Sequence, residues 1–175
     1  MKILGLLRHA KSDWGASDKR DFDRGLNARG RKGAALIGKH IRDHGVTWGA
    51  LIASPAERVK ITLAEAGIGP APEWDERLYL ASTETIMDVI RDHGGDAQAL
   101  LLAGHNPGFG DMVFELVAPQ NENALFDEAK VKFPTAAFAV FELDIDDWVD
   151  LKEGCGKLVH FARPRDLDPD LGPEY

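Results

Sequence analysis

Apolar residues recur along this chain in two alternating rhythms. Short continuous runs, Ile3 to Leu7, a stretch near 49 to 53 and Ala99 to Ala103, fit strands buried on both faces. Segments near 28 to 44, 55 to 66, 83 to 93 and 107 to 117 repeat instead with helical spacing. Such alternation predicts an α/β fold, a mostly parallel central sheet with helices on both sides in three layers, α/β/α.

The rhythm changes in the last third. Ala136 to Leu143 and Lys157 to Phe161 are strand-like and joined by a short polar connection around 144 to 156, which predicts an antiparallel pair at one sheet edge. Residues 166 to 175 are rich in Asp, Pro and Gly without periodicity, and read as a loosely ordered acidic tail behind a single domain over 1 to 165. The one internal echo is Ile-Arg-Asp-His-Gly, at 41 to 45 and at 90 to 94. Both copies end a predicted helix, where histidine in the last turn suits the macrodipole and glycine supplies a left-handed residue. A metal site built from His44 and His93 finds no Cys or carboxylate spacing to support it, so no metal is expected.

Composition narrows the function classes. At 175 residues the chain can bury roughly two-thirds of its unfolded surface in one domain. The single cysteine, Cys155, excludes an intrachain disulfide and fits a reducing compartment, with the cytoplasm as default. The first apolar run is far too short for a secretory core or a spanning helix, so a soluble, unexported protein is expected. A net charge of −8 disfavours nucleic acid and anionic membranes as partners, and any anion must be held by local arginines.

Candidate chemistry sits at strand ends. Arg8-His9-Ala10 follows the first apolar run, at the place where open α/β sheets bind ligands. Arg58 follows the strand ending at Ala53, and His105 follows the one ending at Ala103. Ser54-Pro55-Ala56-Glu57 reads as a helix start with Ser54 as N-cap and Pro55 first, which puts Arg58 in an anion-attracting first turn. An ordinary surface arginine is the alternative. Gly104-His105-Asn106-Pro107-Gly108 reads as a turn opening a helix at Pro107, with His105 at the crevice mouth or, alternatively, tying the turn by hydrogen bonds.

Two arginines and two histidines from three strand ends have no structural reason to converge. Together they suit a tetrahedral dianion, because guanidinium forks bind phosphate bidentately and no magnesium is then required. A neutral imidazole is a competent nucleophile toward phosphorus, and His9 is the expected one. The arginines disfavour its imidazolium form, and a hydrogen bond from one ring nitrogen to a backbone carbonyl would leave the other lone pair for the substrate. His105 is expected to donate to a phosphoryl oxygen.

Several ordered motifs resemble the histidine phosphatase superfamily, and more closely its small SixA-type phosphohistidine phosphatases. They are Leu7-Arg8-His9-Ala10-Lys11-Ser12, Asp23-Arg24-Gly25-Leu26-Asn27-Ala28-Arg29-Gly30, Ser54-Pro55-Ala56-Glu57-Arg58, Leu78-Tyr79-Leu80-Ala81-Ser82, Gly104 to Gly108 and Lys132-Phe133-Pro134-Thr135. The resemblance implies a phosphoglycerate mutase-like fold, transient phosphorylation of His9, and Arg8, Arg58 and His105 around the phosphoryl group, with no metal or organic cofactor. Ser12 and Asn106, within these motifs, are the substrate-binding candidates. Ala10 stands where the superfamily usually has Gly. Gly25 stands where close relatives carry Pro, and Gly15 where mutase-like members carry a phosphate-binding Asn, which weakens a mutase reading.

The proton donor for the leaving group falls, by the same resemblance, in the region of Ala81 to Glu84. Glu84 is the nearest carboxylate, with a helix N-terminal acid as its plain alternative. A phosphoramidate leaves as imidazole and needs such an acid less than a phosphoester does. The expected substrate is therefore a protein phosphohistidine, as on a histidine-containing phosphotransfer domain. A small phosphate ester, or a non-catalytic phosphate- or phosphoprotein-binding module, is the alternative. No long insertion offers a lid, so an open crevice is expected.

Overall fold

The computed structural model describes residues 1–15 and 18–172. Six strands form one sheet: β1 (Lys2–Arg8), β2 (Ala50–Ala53), β3 (Pro72–Trp74), β4 (Ala99–Gly104), β5 (Phe138–Leu143) and β6 (Gly156–Ala162), in the order β3-β2-β4-β1-β5-β6. Neighbours from β3 to β1 pair in parallel, whereas β5 runs antiparallel to both β1 and β6. The fold is therefore α/β with an antiparallel edge.

Alternation along the strands explains why the sheet is covered on both faces. Leu4 and Leu6 of β1, Leu100 and Leu102 of β4, and Ala139 and Phe141 of β5 enter one core, while Leu7, Leu101, Ala103, Phe138 and Val140 enter the other. Side chains two apart share a face, so apolar residues at successive positions must serve two cores. Helices α1 (Ala28–His44) and α2 (Glu57–Ala66) supply Ala34, Ile37, Val59 and Leu63 to the second core. Helices α3 (Thr83–His93), α4 (Gly108–Leu116) and α5 (Ala124–Val131) supply Ile86, Val89, Met112, Leu116 and Phe126 to the first. No helix among the described residues is long and apolar enough to cross a membrane.

Three local expectations are corrected. Helix α2 begins two residues later than Ser54-Pro55 implied: Ala56 is its N-cap without a side-chain bond, and the Ser54 hydroxyl only accepts weakly from the Ala56 amide, at 3.3 Å. The paired Ile-Arg-Asp-His-Gly segments also differ. Gly45 does cap α1 in the left-handed region, φ +92°, but Gly94 stays right-handed and Gly95 makes the turn. Gly94 is there for space: a Cβ would lie 2.2 Å from the buried Trp148 ring, whose indole nitrogen donates to the Ala97 carbonyl at 2.7 Å. Gly94→Ala is accordingly expected to cost about 1–3 kcal/mol by overpacking, read as a lower denaturant midpoint, whereas Gly45→Ala should act through backbone strain alone.

The third correction concerns the chain end. Where the composition suggested loose order, Pro164–Leu167 form a short helix, α6, and Pro169–Leu171 a 3-10 turn. Prolines pre-set φ at the first position of each, and Arg163 with Asp166 closes a capping box on α6. Lys32 of α1 holds Asp168 at 2.9 Å, and Arg29 donates to the Gly172 carbonyl at 3.0 Å. Residues 173–175 lie outside the described residues.

Candidate active site

The sheet order decides what can meet at its carboxyl edge. β1 lies between β4 and β5, so Arg8 pairs with Gly104, and the residues following both strands emerge together. The His9 amide donates to the Gly104 carbonyl at 3.0 Å, and the His9 carbonyl accepts from Ala136 at 2.9 Å. Helix α2 adds a third tether: the Ala10 amide donates to the Thr62 hydroxyl at 3.0 Å, and that hydroxyl donates to the Arg58 carbonyl one turn back, at 2.7 Å. His9 is thus fixed from three directions.

Around it the structure gathers Arg8, Arg58 and His105. The His9 and His105 rings lie 5.2 Å apart, and both arginines are close enough to act electrostatically on each ring. His9 is 7 % exposed, Arg58 5 % and His105 3 %. Burial, with further help from the Arg8 and Arg58 charges, pushes the His9 imidazole down to about 3 despite its bond to the Ala10 carbonyl. Burial and Arg58 likewise push His105 down to about 3. Arg8 is pushed down to about 10 by burial and by Arg58. Among the described residues, two cations and two neutral imidazoles share one buried space with a single carboxylate, that of Asp21 on Arg58, and none pairs with Arg8, which leaves net positive charge for an anion.

Hydrogen bonding sets the His9 tautomer. The His9 Nδ1 lies 2.7 Å from the Ala10 carbonyl oxygen, which can only accept, so Nδ1 carries the proton and Nε2 keeps its lone pair. His105 Nε2 lies 2.8 Å from the Ser54 hydroxyl, while its Nδ1 is buried with no partner. The Ser54 hydroxyl, with one donor and two acceptor sites, can serve Nε2 in either tautomer of His105 while accepting from the Ala56 amide. The Arg8 Nε is also buried without a partner. An unmet Arg8 donor and an unpartnered His105 nitrogen, together with the His9 Nε2 lone pair, describe a seat for a phosphoryl group.

One part of the site was not foreseen. The 3-10 turn Asp21–Asp23 borders the crevice: Arg58 donates through Nη1 to the Asp21 carbonyl at 2.8 Å and through Nη2 to its carboxylate at 3.0 Å. The Tyr79 hydroxyl donates to the same carboxylate oxygen, and the Tyr79 ring stands edge-on to His105 at 5.4 Å. Burial alone would raise the Asp21 carboxyl, but Tyr79 and Arg58 hold it below its ordinary value. Ser54, Thr62, Asp21 and Tyr79 were not among the site candidates, although Ser54 and Tyr79 lie in the motifs quoted above and Thr62 lies one helical turn from Arg58. Leu80, next to Tyr79, and Ala136, which holds His9, are the two non-glycine residues with left-handed backbone among those described, φ +49° and +58°. Strain of this kind gathers at working sites.

The remaining candidates sit further out. Glu84 is exposed in the first turn of α3, behind a Ser82 cap. Ser12 is buried in an isolated bridge with Leu26, and its carbonyl accepts from Asn27 at 3.3 Å. Both ends of the Asn106 amide are engaged: Nδ2 donates to the Phe133 carbonyl at 2.8 Å, shared with Arg8 Nη1 at 3.1 Å, and Oδ1 accepts from Gly110 at 3.0 Å. Asn106 therefore positions Arg8. His44 and His93 are apart, His44 against His160 and His93 against Asp75. No group of three ligating side chains among the described residues is arranged for a metal.

The buried histidines make stability depend on pH. In the unfolded chain each takes a proton near 6.5, whereas His9 and His105 in the fold wait until about 3, and His160, buried against His44 and His40, until about 4. Between those limits the unfolded state binds more protons, so stability is complete above about pH 6.5 and is lost progressively as pH falls. A denaturant midpoint that declines below that pH, and declines less in His105→Asn, is the expected result; a midpoint flat down to about pH 4 would contradict the burial.

Comparison with known proteins adds a family frame. The model of the histidine phosphatase superfamily, branch 1, matches residues 4–80. An uncharacterized protein of Mycobacterium tuberculosis is 34% identical over 160 residues, covering 91% of this chain and all of that one. The solved structure of "Putative Phosphohistidine Phosphatase SixA" from Nakamurella multipartitia superposes with a TM-score of 0.82 at 27% identity, covering 93% of this chain and 96% of that chain. Its counterpart from Agrobacterium tumefaciens gives 0.77 at 28% identity, with 93% and 98% covered.

Proposed function

Because the chain belongs to the histidine phosphatase superfamily, with a phosphoglycerate mutase-like fold, we propose that it is a metal-independent phosphatase that removes the phosphoryl group from protein phosphohistidine through His9. The observation that carries this reading is the His9 tautomer: Nδ1 is spent on the Ala10 carbonyl, and a neutral Nε2 is left with Arg8, Arg58 and His105 around the ring. Nε2 attacks phosphorus, the bond from phosphorus to the substrate imidazole breaks, and that ring departs neutral when its far nitrogen already carries a proton. Water then attacks the phosphorus on His9, orthophosphate leaves with the water oxygen, and Nε2 recovers its lone pair. Arg8, Arg58 and His105 hold the three phosphoryl oxygens while charge shifts among them.

The substrate class follows from the missing acid. A phosphoester needs a proton delivered to its leaving oxygen, but Asp21 is held ionised by Tyr79 and Arg58, and Glu84 is exposed on α3. The two SixA-named structures support the same choice. A second reading, a small phosphoester substrate, is favoured by the narrowness of the site, since His9 is 7 % exposed. A lone buried Cys155 suits a cytoplasmic setting for either.

Incubation with a phosphorylated histidine-containing phosphotransfer domain and, separately, with an aryl phosphate separates the readings. Rapid loss of the phosphohistidine is expected. Efficient aryl phosphate hydrolysis with the phosphohistidine untouched would overturn the substrate class, and tight phosphate binding without turnover on either would leave a binding module.

A further inference from the structure

Trp14, Phe22 and Leu80 make an apolar rim beside the phosphoryl seat, and we infer that this rim docks the protein that carries the phosphohistidine, through apolar contacts next to the modified ring. The inference rests on the substrate class proposed above and adds the surface that recognises it.

The rim is one run of contacts. The Tyr79 ring, edge-on to His105, also meets the Phe22 ring edge-on at 5.1 Å, and Leu80 follows Tyr79 directly in the chain. Beyond the Asp21–Asp23 turn, the Arg24 amide donates to the Asp21 carbonyl at 3.1 Å, and the Arg24 guanidinium lies over the Trp14 ring at 4.4 Å. The Asp13 amide donates to the Gly25 carbonyl at 2.9 Å, which ties the segment carrying Trp14 to the same turn. Trp14 is 63 % exposed and Leu80 54 %, with Phe22 half-buried along the path that joins them.

Single exposed apolar residues are ordinary on any protein surface, whereas a contiguous set at a site is not. Leu80 is the least expected of the three. Its backbone is left-handed, φ +49°, which suits glycine or asparagine and disfavours a leucine, and its side chain gains little burial in return. Neither packing nor backbone preference in the free fold accounts for that residue, but a contact completed by a partner does. Tryptophan is the residue type most enriched where binding energy concentrates, and stacking on Arg24 already orders this ring, so less entropy is lost on contact.

The depth of the site and the charge of the chain select the occupant. His9 is so buried that a phosphorylated ring has to enter the crevice, which brings the protein surface around that ring against the rim. Free phosphohistidine would fill the seat and leave Trp14 and Leu80 bare. A net charge of −8 gives an anionic phosphoprotein no long-range attraction, so short-range apolar contact has to supply affinity.

The test is calorimetric titration of a phosphorylated histidine-containing phosphotransfer domain into the full chain carrying His9→Asn, with and without Trp14→Ala and Leu80→Gly together. The two rim substitutions are expected to weaken binding of the domain at least tenfold and to leave binding of free phosphohistidine within about twofold. Glycine takes the left-handed backbone without strain, and a thermal melt checks the fold; Leu80→Asn with Trp14 retained replaces the pair if the melt is lost. With His9 restored, the same substitutions should raise KM for the domain and spare hydrolysis of free phosphohistidine. No measurable binding of the domain, binding that ignores the rim, or equal losses for the domain and free phosphohistidine would overturn the docking surface. Rim-dependent binding of a domain that the native chain does not dephosphorylate would defeat the hydrolytic reading alone and leave the docking surface standing.

Discussion

Replacing His9 with asparagine is expected to abolish phosphoryl transfer, with turnover falling by about 10⁴ to 10⁶, the range that follows loss of a nucleophile. Asparagine is the sharper substitution because its amide can still donate to the Ala10 carbonyl, as Nδ1 does at 2.7 Å, while nothing replaces the lone pair on Nε2. Alanine should lose activity to the same extent. The buried site itself need not collapse: His9 is neutral in the fold, so its removal leaves no orphaned charge, and the acid sensitivity of the fold should lessen.

The measurement is a phosphoenzyme trap. The native chain, mixed with radiolabelled phosphohistidine protein and quenched in base, should carry a label that acid removes, the behaviour of a bond from phosphorus to nitrogen. The asparagine variant should carry none. An equal label in the variant would move the nucleophile away from His9. A label stable to acid would indicate an oxygen ester, with Ser54, bonded to His105, the first hydroxyl to question.

What the chain made legible depended on how local each signal was. β1, α1 and α3 follow from periodicity, and α1 and α3 also from the asparagine and serine that cap them, Asn27 accepting from Gly30 and Ser82 from Thr85. β3 is three residues opening on a proline, too short to show a period. α5 was readable in principle, since Asn123 caps it by accepting from Phe126 at 3.0 Å, but its eight residues sit where the polar rhythm resembles a loop. The gathering of Arg8, His9, Arg58 and His105 was approachable because each ends a recognisable strand or starts the helix after it. The contacts of Asp21 with Arg58 and Tyr79 cross 37 and 58 residues, and no local pattern announces them.

Arg58→Ala is expected to lower kcat by about 10² to 10³, the usual consequence of removing a donor that tightens on a transition-state oxygen. At rest the guanidinium is engaged by Asp21, so the prediction requires that a phosphoryl group can displace that carboxylate. Energetics favour it. The Asp21 side chain is 43% exposed, so its carboxylate can turn out to water when displaced, whereas Arg58 stays buried in the site. A phosphoryl dianion presents more charge and meets Arg8 and His105 as well. Asp21→Asn should therefore tighten phosphate binding severalfold and lower KM while leaving kcat within a few fold, opposite in direction to Arg58→Ala. A fall in kcat for Asp21→Asn comparable to that of Arg58→Ala, steeper with a phosphoester than with phosphohistidine, would instead make Asp21 the proton donor once Arg58 has turned to the substrate. A change below about threefold for Arg58→Ala would remove this arginine from the phosphoryl seat altogether.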